Sequence, residues 1–326
     1  MFFMRFDMRA PVAGAPTTEL YAAALDMSVW AESRGAVAAI VCEHHAMPDG
    51  YLPSPLILAS AMAARTTTLP ITVAAVIIPL YQPVRLAEDM AVLDIISRGR
   101  VSYVAAIGYV PEEYEQHGVA FTQRGRIADD CLSVLLQAKT GQPFEHEGRR
   151  IHVMPQPFTA GGPSIAWGGG SVPAAQRAGR HGLDFFAQGG DPSLAQVYQE
   201  AARVNGHEPG FAMIPPVDMA TTVFVTDDVE RGWEELGRYI LHDVTSYGRI
   251  NQGNTHTASI SAAPSVDELR AEDRTHRIIT VAQATEMIRS GLPLPLQPLI
   301  GGLPPEVAWP YLRTVTDVVM PAVSTN

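Results

Sequence analysis

A chain of 326 residues, 47% hydrophobic and 17% charged, carries enough apolar side chain for a large core, and its composition is not that of a disordered segment. Its 23 basic and 34 acidic residues give a formal charge of -11, which repels phosphate backbones and anionic bilayers and argues against nucleic acid or a membrane as partner. Cys42 and Cys131 are too few and too far apart for a disulfide framework and read as buried free thiols; charges at Arg5, Asp7 and Arg9 break any signal-peptide core, so the expected location is the cytoplasm.

Short β-branched runs alternate with longer segments of helical period, the pattern of repeated βα units. The first strand falls near Phe2–Met8, followed by a helix over about Thr18–Ser33. A second strand, Val37–Cys42, runs directly into Glu43-His44-His45. A helix near Ser54–Arg65 leads to a third strand, Ile71–Ile78, whose near-continuous apolar character suits burial on both faces and which Pro79 ends. The next helix, about Val84–Ile96, sets Leu86, Met90 and Leu93 on one face, and the turn at 97–100 feeds a fourth strand, Val101–Ile107. A glutamate-rich loop and a helix carrying Ile127, Cys131, Leu135 and Ala138 precede an irregular excursion over 141–163.

The fifth strand, Ser164–Trp167, is followed at once by Gly168-Gly169-Gly170-Ser171 and a helix near Pro173–His181. A sixth strand at Asp184–Ala187 with a helix over Ser193–Asn205, and a seventh at Met219–Val225 with a helix over Asp228–Leu241, continue the alternation. Residues 242–277 are polar and too long for an ordinary connection, which marks a lid or a binding loop. A helix at Val281–Arg289, a strand at Leu296–Ile300 and a last helix with Val307, Tyr311, Val315 and Val318 complete the count. The simplest closure is one α/β domain over 1–326, a (β/α)8 TIM barrel with insertions and a lid at 242–277.

In such a barrel the active site forms at the carboxyl ends of the strands, which makes Glu43, His44 and His45 the first catalytic candidates. Two adjacent imidazoles at a strand end point to opposite sides, so one reaches the mouth while the other packs or hydrogen-bonds beneath it; a purely structural histidine pair is the alternative. A catalytic metal needs further ligands on other strands, whereas His117, His146, His152 and His181 fall in loops or helices, so no metal site is assigned. Gly168–Ser171 offers backbone N–H groups and a hydroxyl at a helix N-terminus, suited to a phosphate, unless the glycines serve only to pack the helix on the sheet. Pro173 stands where the dinucleotide fingerprint needs its third glycine. Tyr109, close to the end of the fourth strand, is a candidate neighbour for a flat cofactor or a half-buried packing residue. Glu112, Glu113, Tyr114 and Glu115 follow the fourth strand and could approach the same mouth, though most of them read as a solvated acidic loop.

The order of these motifs resembles the luciferase-like monooxygenases: Glu43-His44-His45, then the run from Ile77 to Asp89, then Leu93 to Arg100, Tyr114 to Val119, the Gly168–Ser171 turn, and Gly301 to Trp309. The resemblance spans nearly the whole chain. It implies a (β/α)8 barrel with a lid insertion, His44 assisting proton transfer near a flavin, and His45 as its neighbour in the pocket. It places Ala74-Ala75 where family members carry a non-prolyl cis peptide under the isoalloxazine ring, Ala105, Ala106 and Tyr109 along the ring, and Gly169, Gly170 and Ser171 at the phosphate. The implied activity is a flavin-dependent oxidoreductase, in the first instance a monooxygenase that uses reduced FMN and oxygen on a small organic substrate. A separate flavin reductase would supply the reduced flavin, and homodimers are common in the family. One departure is Ile107, where some FMN-using members have an arginine for the phosphate. It keeps open hydride transfer with the deazaflavin coenzyme F420, and a non-catalytic flavin-binding subunit is a further alternative.

Overall fold

The computed structural model of the protein describes residues 1–216, 218–251 and 260–324. The chain opens with β1 (Phe2–Phe6), α1 (Thr17–Ser33), β2 (Ala38–Val41), α2 (Pro55–Arg65), β3 (Ile71–Ile77), α3 (Pro83–Ser97), β4 (Val101–Ala106), α4 (Pro111–Gln116) and α5 (Arg124–Ala138). A hairpin of β5 (Phe144–His146) and β6 (Arg149–Ile151) follows, then β7 (Ile165–Gly168), α6 (Val172–Arg180), β8 (Phe185–Phe186), α7 (Leu194–Val204) and β9 (Ala212–Met213). The last part holds β10 (Thr222–Val225), α8 (Val229–Ile250), α9 (Val266–Glu272), β11 (His276–Ile279), α10 (Val281–Arg289), β12 (Leu294–Leu296) and α11 (Pro305–Thr314). Two compact units result, one of 1–40, 47–52 and 215–326, the other of 41–46 and 53–214.

The second unit is an α/β arrangement with an all-parallel sheet. β3 pairs with β4 (Ile71 opposite Val101), β4 with β7 (Tyr103 opposite Ile165), β7 with β8 (Trp167 opposite Phe185) and β8 with β9 (Phe185 opposite Ala212). Parallel neighbours need a long crossover, and the helices between these strands supply it. All four residues of β7 are buried, which is why its sequence shows no polar alternation. The excursion expected over 141–163 contains the antiparallel β5–β6 hairpin, turned by Glu147 and Gly148 at positive φ. Both cysteines are free and buried, and burial, followed by the charge of Asp130, pushes the Cys131 thiol up to about 12.

In the first unit β1 pairs with β12 and β10 with β11, again in parallel. Helix α8 differs from its expected length. It runs to Ile250, nine residues past Leu241, because Tyr239, Asp243 and Tyr247 share a buried face at i, i+4 spacing. The lid expected at 242–277 is therefore regular in large part, with α9 and the start of β11 at its far end, while 252–259 lie outside the described residues. Near the same end of α8 the unit encloses a polar cluster around Arg9, which is 1% exposed. The guanidinium pairs with Asp49, lies 3.3 Å from Asp243 and sits 4.5 Å from the Tyr51 ring centre. Asp243 also faces His276 at 3.3 Å, and Asp49 faces His242 at 2.8 Å. Burial, and next the charge of Asp243, raise the Asp7 carboxyl to about 7. For Asp243 burial acts upward too, but the hydrogen bond from His276 and the charges around the group, Arg9 and Arg5 among them, act downward and the group lies below the usual carboxylate range.

Candidate active site

β2 ends at Val41, and Glu43, His44 and His45 follow it as irregular chain, all three buried. Their partners come from the end of β3 and from the chain that follows β3 and β4. The Glu43 Oε2 accepts the backbone N–H of Ile77 at 2.6 Å, and its Oε1 accepts the Tyr81 hydroxyl and meets the His45 Nε2 at 2.9 Å. Burial, and next the charge of Glu43, push the Tyr81 phenol well above its ordinary range, so it remains a donor. Glu43 is thus a clamp with both oxygens occupied, tying His45 to the end of β3.

His44 is held differently. Its Nδ1 lies 2.7 Å from the Glu113 Oε1, which also accepts the backbone N–H of His45 at 2.9 Å. A carboxylate offers only acceptors, so Nδ1 carries the hydrogen of this bond. The other nitrogen, Nε2, faces the Tyr109 hydroxyl at 3.2 Å, with the two rings edge to face and their centres 5.5 Å apart. Glu113 itself is 0% exposed, and its Oε2 is buried with no hydrogen-bond partner among the described residues.

Glu113 stood in the sequence only as one of four residues that could approach the mouth, not among the catalytic candidates, and the structure brings it to the histidines. The stretch expected as a solvated acidic loop is the short helix α4, begun by Pro111 at its first turn. Glu112 and Glu115 are exposed, but Glu113 and Tyr114 turn inward, and the Tyr114 hydroxyl donates to the carbonyl of Ile107. The signal available in sequence was slight: a glutamate and a tyrosine in tandem after a helix-starting proline. Tyr81, inside the run from Ile77 to Asp89, carried no signal that separated it from a surface residue.

The positions expected at a flavin ring lie together at the ends of two paired strands. The Ala74-Ala75 peptide is cis, and the β3–β4 register shifts there, with Ala74 opposite Val104 and Val76 opposite Ala105. Ala74, Ala75 and Ala106 are partly exposed and Ala105 is buried, which leaves a surface of small side chains able to take a flat ring. Tyr109 follows at the corner Ile107–Tyr109, where Gly108 has φ +67° and a Cβ on it would stand 2.8 Å from the Ile77 Cγ2.

At the Gly168–Ser171 turn, Gly169 has φ +139° and a Cβ on it would stand 2.9 Å from the Ala174 Cβ, so the backbone there needs glycine. Gly170 and Ser171 are exposed, Ser171 is the N-cap of the nine-residue α6, and no acidic residue occupies the first turn of that helix. This is a fitting place for a phosphate. Neither of two small crevices, one lined by Met90, Leu135 and Ile165 and the other by Phe224, Tyr311 and Val315, includes a residue of this site. Among the described residues, Asp130, His146 and Glu147 bring potential metal-ligating atoms within 4.8 Å of one another at the β5–β6 hairpin, with Glu147 paired to Arg149. No described helix is long and apolar enough to cross a membrane.

The chain is 30% identical over 131 residues to an uncharacterized protein, y4vJ, of Sinorhizobium fredii, covering 40% of this chain and 37% of that one. It is 23% identical over 176 residues to the alkanal monooxygenase alpha chain of Photorhabdus luminescens, covering 51% and 49%. The matched stretches thus span about half or less of these relatives. Among solved structures, monooxygenase RslO1 from Streptomyces bottropensis superposes with a TM-score of 0.76 at 20% identity, covering 99% of this chain and 100% of that one. The oxygenating constituent of 3,6-diketocamphane monooxygenase from Pseudomonas putida, in complex with FMN, gives 0.70 at 19%, covering 99% and 98%. An F420-dependent secondary alcohol dehydrogenase gives 0.64 at 15%, covering 98% of each chain. A family model described as luciferase-like monooxygenase matches residues 2–290, and the chain belongs to that family of flavin-dependent oxidoreductases.

Proposed function

We propose that this chain is a monooxygenase that uses reduced FMN and oxygen on a small organic substrate, built on a closed (β/α)8 barrel. The observation that carries the reading is the Glu113–His44–Tyr109 series, with Glu113 and His44 buried, next to the small-residue ends of β3 and β4. Bound reduced flavin supplies the electrons and the activation of oxygen. Ala74, Ala75, Ala105 and Ala106 form the floor for the ring, and Gly169, Gly170 and Ser171 offer N–H groups and a hydroxyl to the phosphate. His44 holds or moves a proton at Nε2, while Glu113 fixes its ring and stabilises the charged form when a proton arrives. Glu43 and Tyr81 keep the end of β3 in place. A separate reductase as the source of reduced flavin, a cytoplasmic location and a homodimer complete this reading.

The second reading, hydride transfer with coenzyme F420, is favoured by Ile107, which brings no guanidinium to a phosphate, and by the fold shared with the F420-dependent dehydrogenase. Titrating the protein with FMN and with F420, each oxidised and reduced, decides between them. Tight binding of reduced FMN and oxygen-dependent product formation support the monooxygenase; F420 binding with anaerobic hydride exchange replaces it. Binding of neither removes both.

A further inference from the structure

We propose that Asp130, His146 and Glu147 bind a divalent transition-metal ion, with Zn2+ the best match, and that the ion ties the β5–β6 hairpin to helix α5. The site uses none of the residues assigned to the flavin and does not depend on that reading. Among the described residues, this is the one group of three histidine, cysteine or carboxylate side chains whose ligand atoms all lie within 4.8 Å of one another. It draws on two elements of the same unit. Asp130 comes from α5, His146 from the end of β5 and Glu147 from the turn after it, and β5 packs on α5.

Little competes for these three groups. Two successive carboxylates of α5 serve different partners: Asp129 is taken by Arg177 and Arg180, whereas Asp130, about 100° further round the helix, meets no arginine or lysine among the described residues. The His146 side chain is only 14% exposed, its imidazole makes no hydrogen bond among the described residues, and its Nε2 stands 3.5 Å from the Asp130 Oδ1. A charged nitrogen–carboxylate hydrogen bond is shorter, about 2.7–2.9 Å. Two ligands held at the usual zinc distances in a tetrahedron, by contrast, stand about 3.3–3.5 Å apart. Glu147 follows at the corner of the hairpin, and its Oε2 accepts from the Arg149 Nη2 at 2.7 Å. Both partners of that pair are largely exposed, so it is weak, and the ion takes the other oxygen or displaces the guanidinium. One imidazole nitrogen with two carboxylate oxygens suits Zn2+ better than Ca2+ or Mg2+, which take oxygen ligands. A two-stranded hairpin is marginal by itself, and an ion shared with α5 would restrain it.

The test titrates the full chain, freed of metal by a chelator, with Co2+ and then Zn2+. Visible d–d bands from one Co2+ per chain, abolished by Zn2+, are expected. His146→Ala and Asp130→Asn should each weaken Zn2+ by about 10²-fold or more, since loss of a residue merely behind a ligand already costs 10–100-fold. Arg149→Ala keeps all three ligands and removes the competing cation, so it should bind Zn2+ at least as tightly as wild type. A second readout is trypsin cleavage after the exposed Arg149 and Arg150. Saturating Zn2+ should slow it by about tenfold in wild type and leave it unchanged in His146→Ala, because an ion bound to the closed hairpin lowers the open population. Absence of saturable binding, a near-ultraviolet band from cobalt on Cys42 or Cys131, binding that survives His146→Ala, or binding lost in Arg149→Ala overturns the site. Cleavage indifferent to Zn2+ in wild type overturns the tie between hairpin and helix.

Discussion

Replacing Glu113 tests the centre of the site without any need for substrate. The carboxylate accepts two hydrogen bonds in a fully buried position, from the His44 Nδ1–H and the His45 backbone N–H. A hydrogen bond to a charged group contributes about 1.5–3 kcal/mol net, so Glu113→Ala, which leaves both donors buried and unpaired, is expected to cost about 3–6 kcal/mol. Glu113→Gln keeps one oxygen for both donors but loses the charge. It also places an N–H2 group where the Oε2 now lies buried without a partner, at a cost of about 1–3 kcal/mol for the unsatisfied donor. The expected order is wild type, then Gln, then Ala. Urea unfolding followed by tryptophan fluorescence reads it, since Trp167 is fully buried in the same unit. Glu112→Ala, one residue away and exposed, should stay within about 0.5 kcal/mol of wild type. If Glu113→Ala proves as stable as Glu112→Ala, the carboxylate does not hold the histidines and the account of the site fails.

Other predictions test the remaining parts of the structure. Gly108→Ala meets both a left-handed backbone and Ile77, so a loss of about 1–2 kcal/mol for the backbone alone, plus the contact, should lower its melting temperature more than Gly148→Ala, which has a similar φ and open space. Gly170→Asp puts a negative charge at the N-terminus of α6 and should weaken FMN by about tenfold or more while leaving riboflavin, which has no phosphate, unchanged in a fluorescence titration; equal loss for both ligands would remove the phosphate assignment. Arg9→Met strips Asp49 and Asp243 of their buried cation, and a loss of about 3–5 kcal/mol in denaturant unfolding is expected. Asp7, raised to about 7 when folded against 3.8 ordinarily, keeps a proton that the unfolded chain releases, so its contribution makes stability fall as pH rises between those values and level off above them. Asp7→Asn should remove that part of the slope, and an unchanged pH profile of the unfolding midpoint would count against the raised value.

The alternation of elements was readable because it follows from local rules. β3 and α10 begin and end within a residue of their expected bounds, since an apolar run closed by Pro79 and a helix opened by the Thr280–Gln283 capping box are each specified by their own residues. The length of α8 was not readable, because Asp243 and Tyr247 look like surface residues until Arg9, His276 and Tyr51 are brought to them from elsewhere in the chain. β9 and β11 escaped for a related reason: two and four residues have too little period to announce themselves without their neighbours.

At the site the division is similar. Glu43-His44-His45 following a strand marked the place, and the glycine turn marked a second, because strand ends and helix starts are where a parallel α/β fold exposes polar backbone and side chains. Which carboxylate serves which histidine belonged to the tertiary structure alone. His44 could have used its neighbour Glu43 but uses Glu113, 69 residues away, while Glu43 is occupied by Ile77, Tyr81 and His45. Periodicity and capping act over a few residues and are written in them; the partner of a buried polar group is whichever complementary atom the packing delivers within about 3 Å, and that is a property of the folded chain.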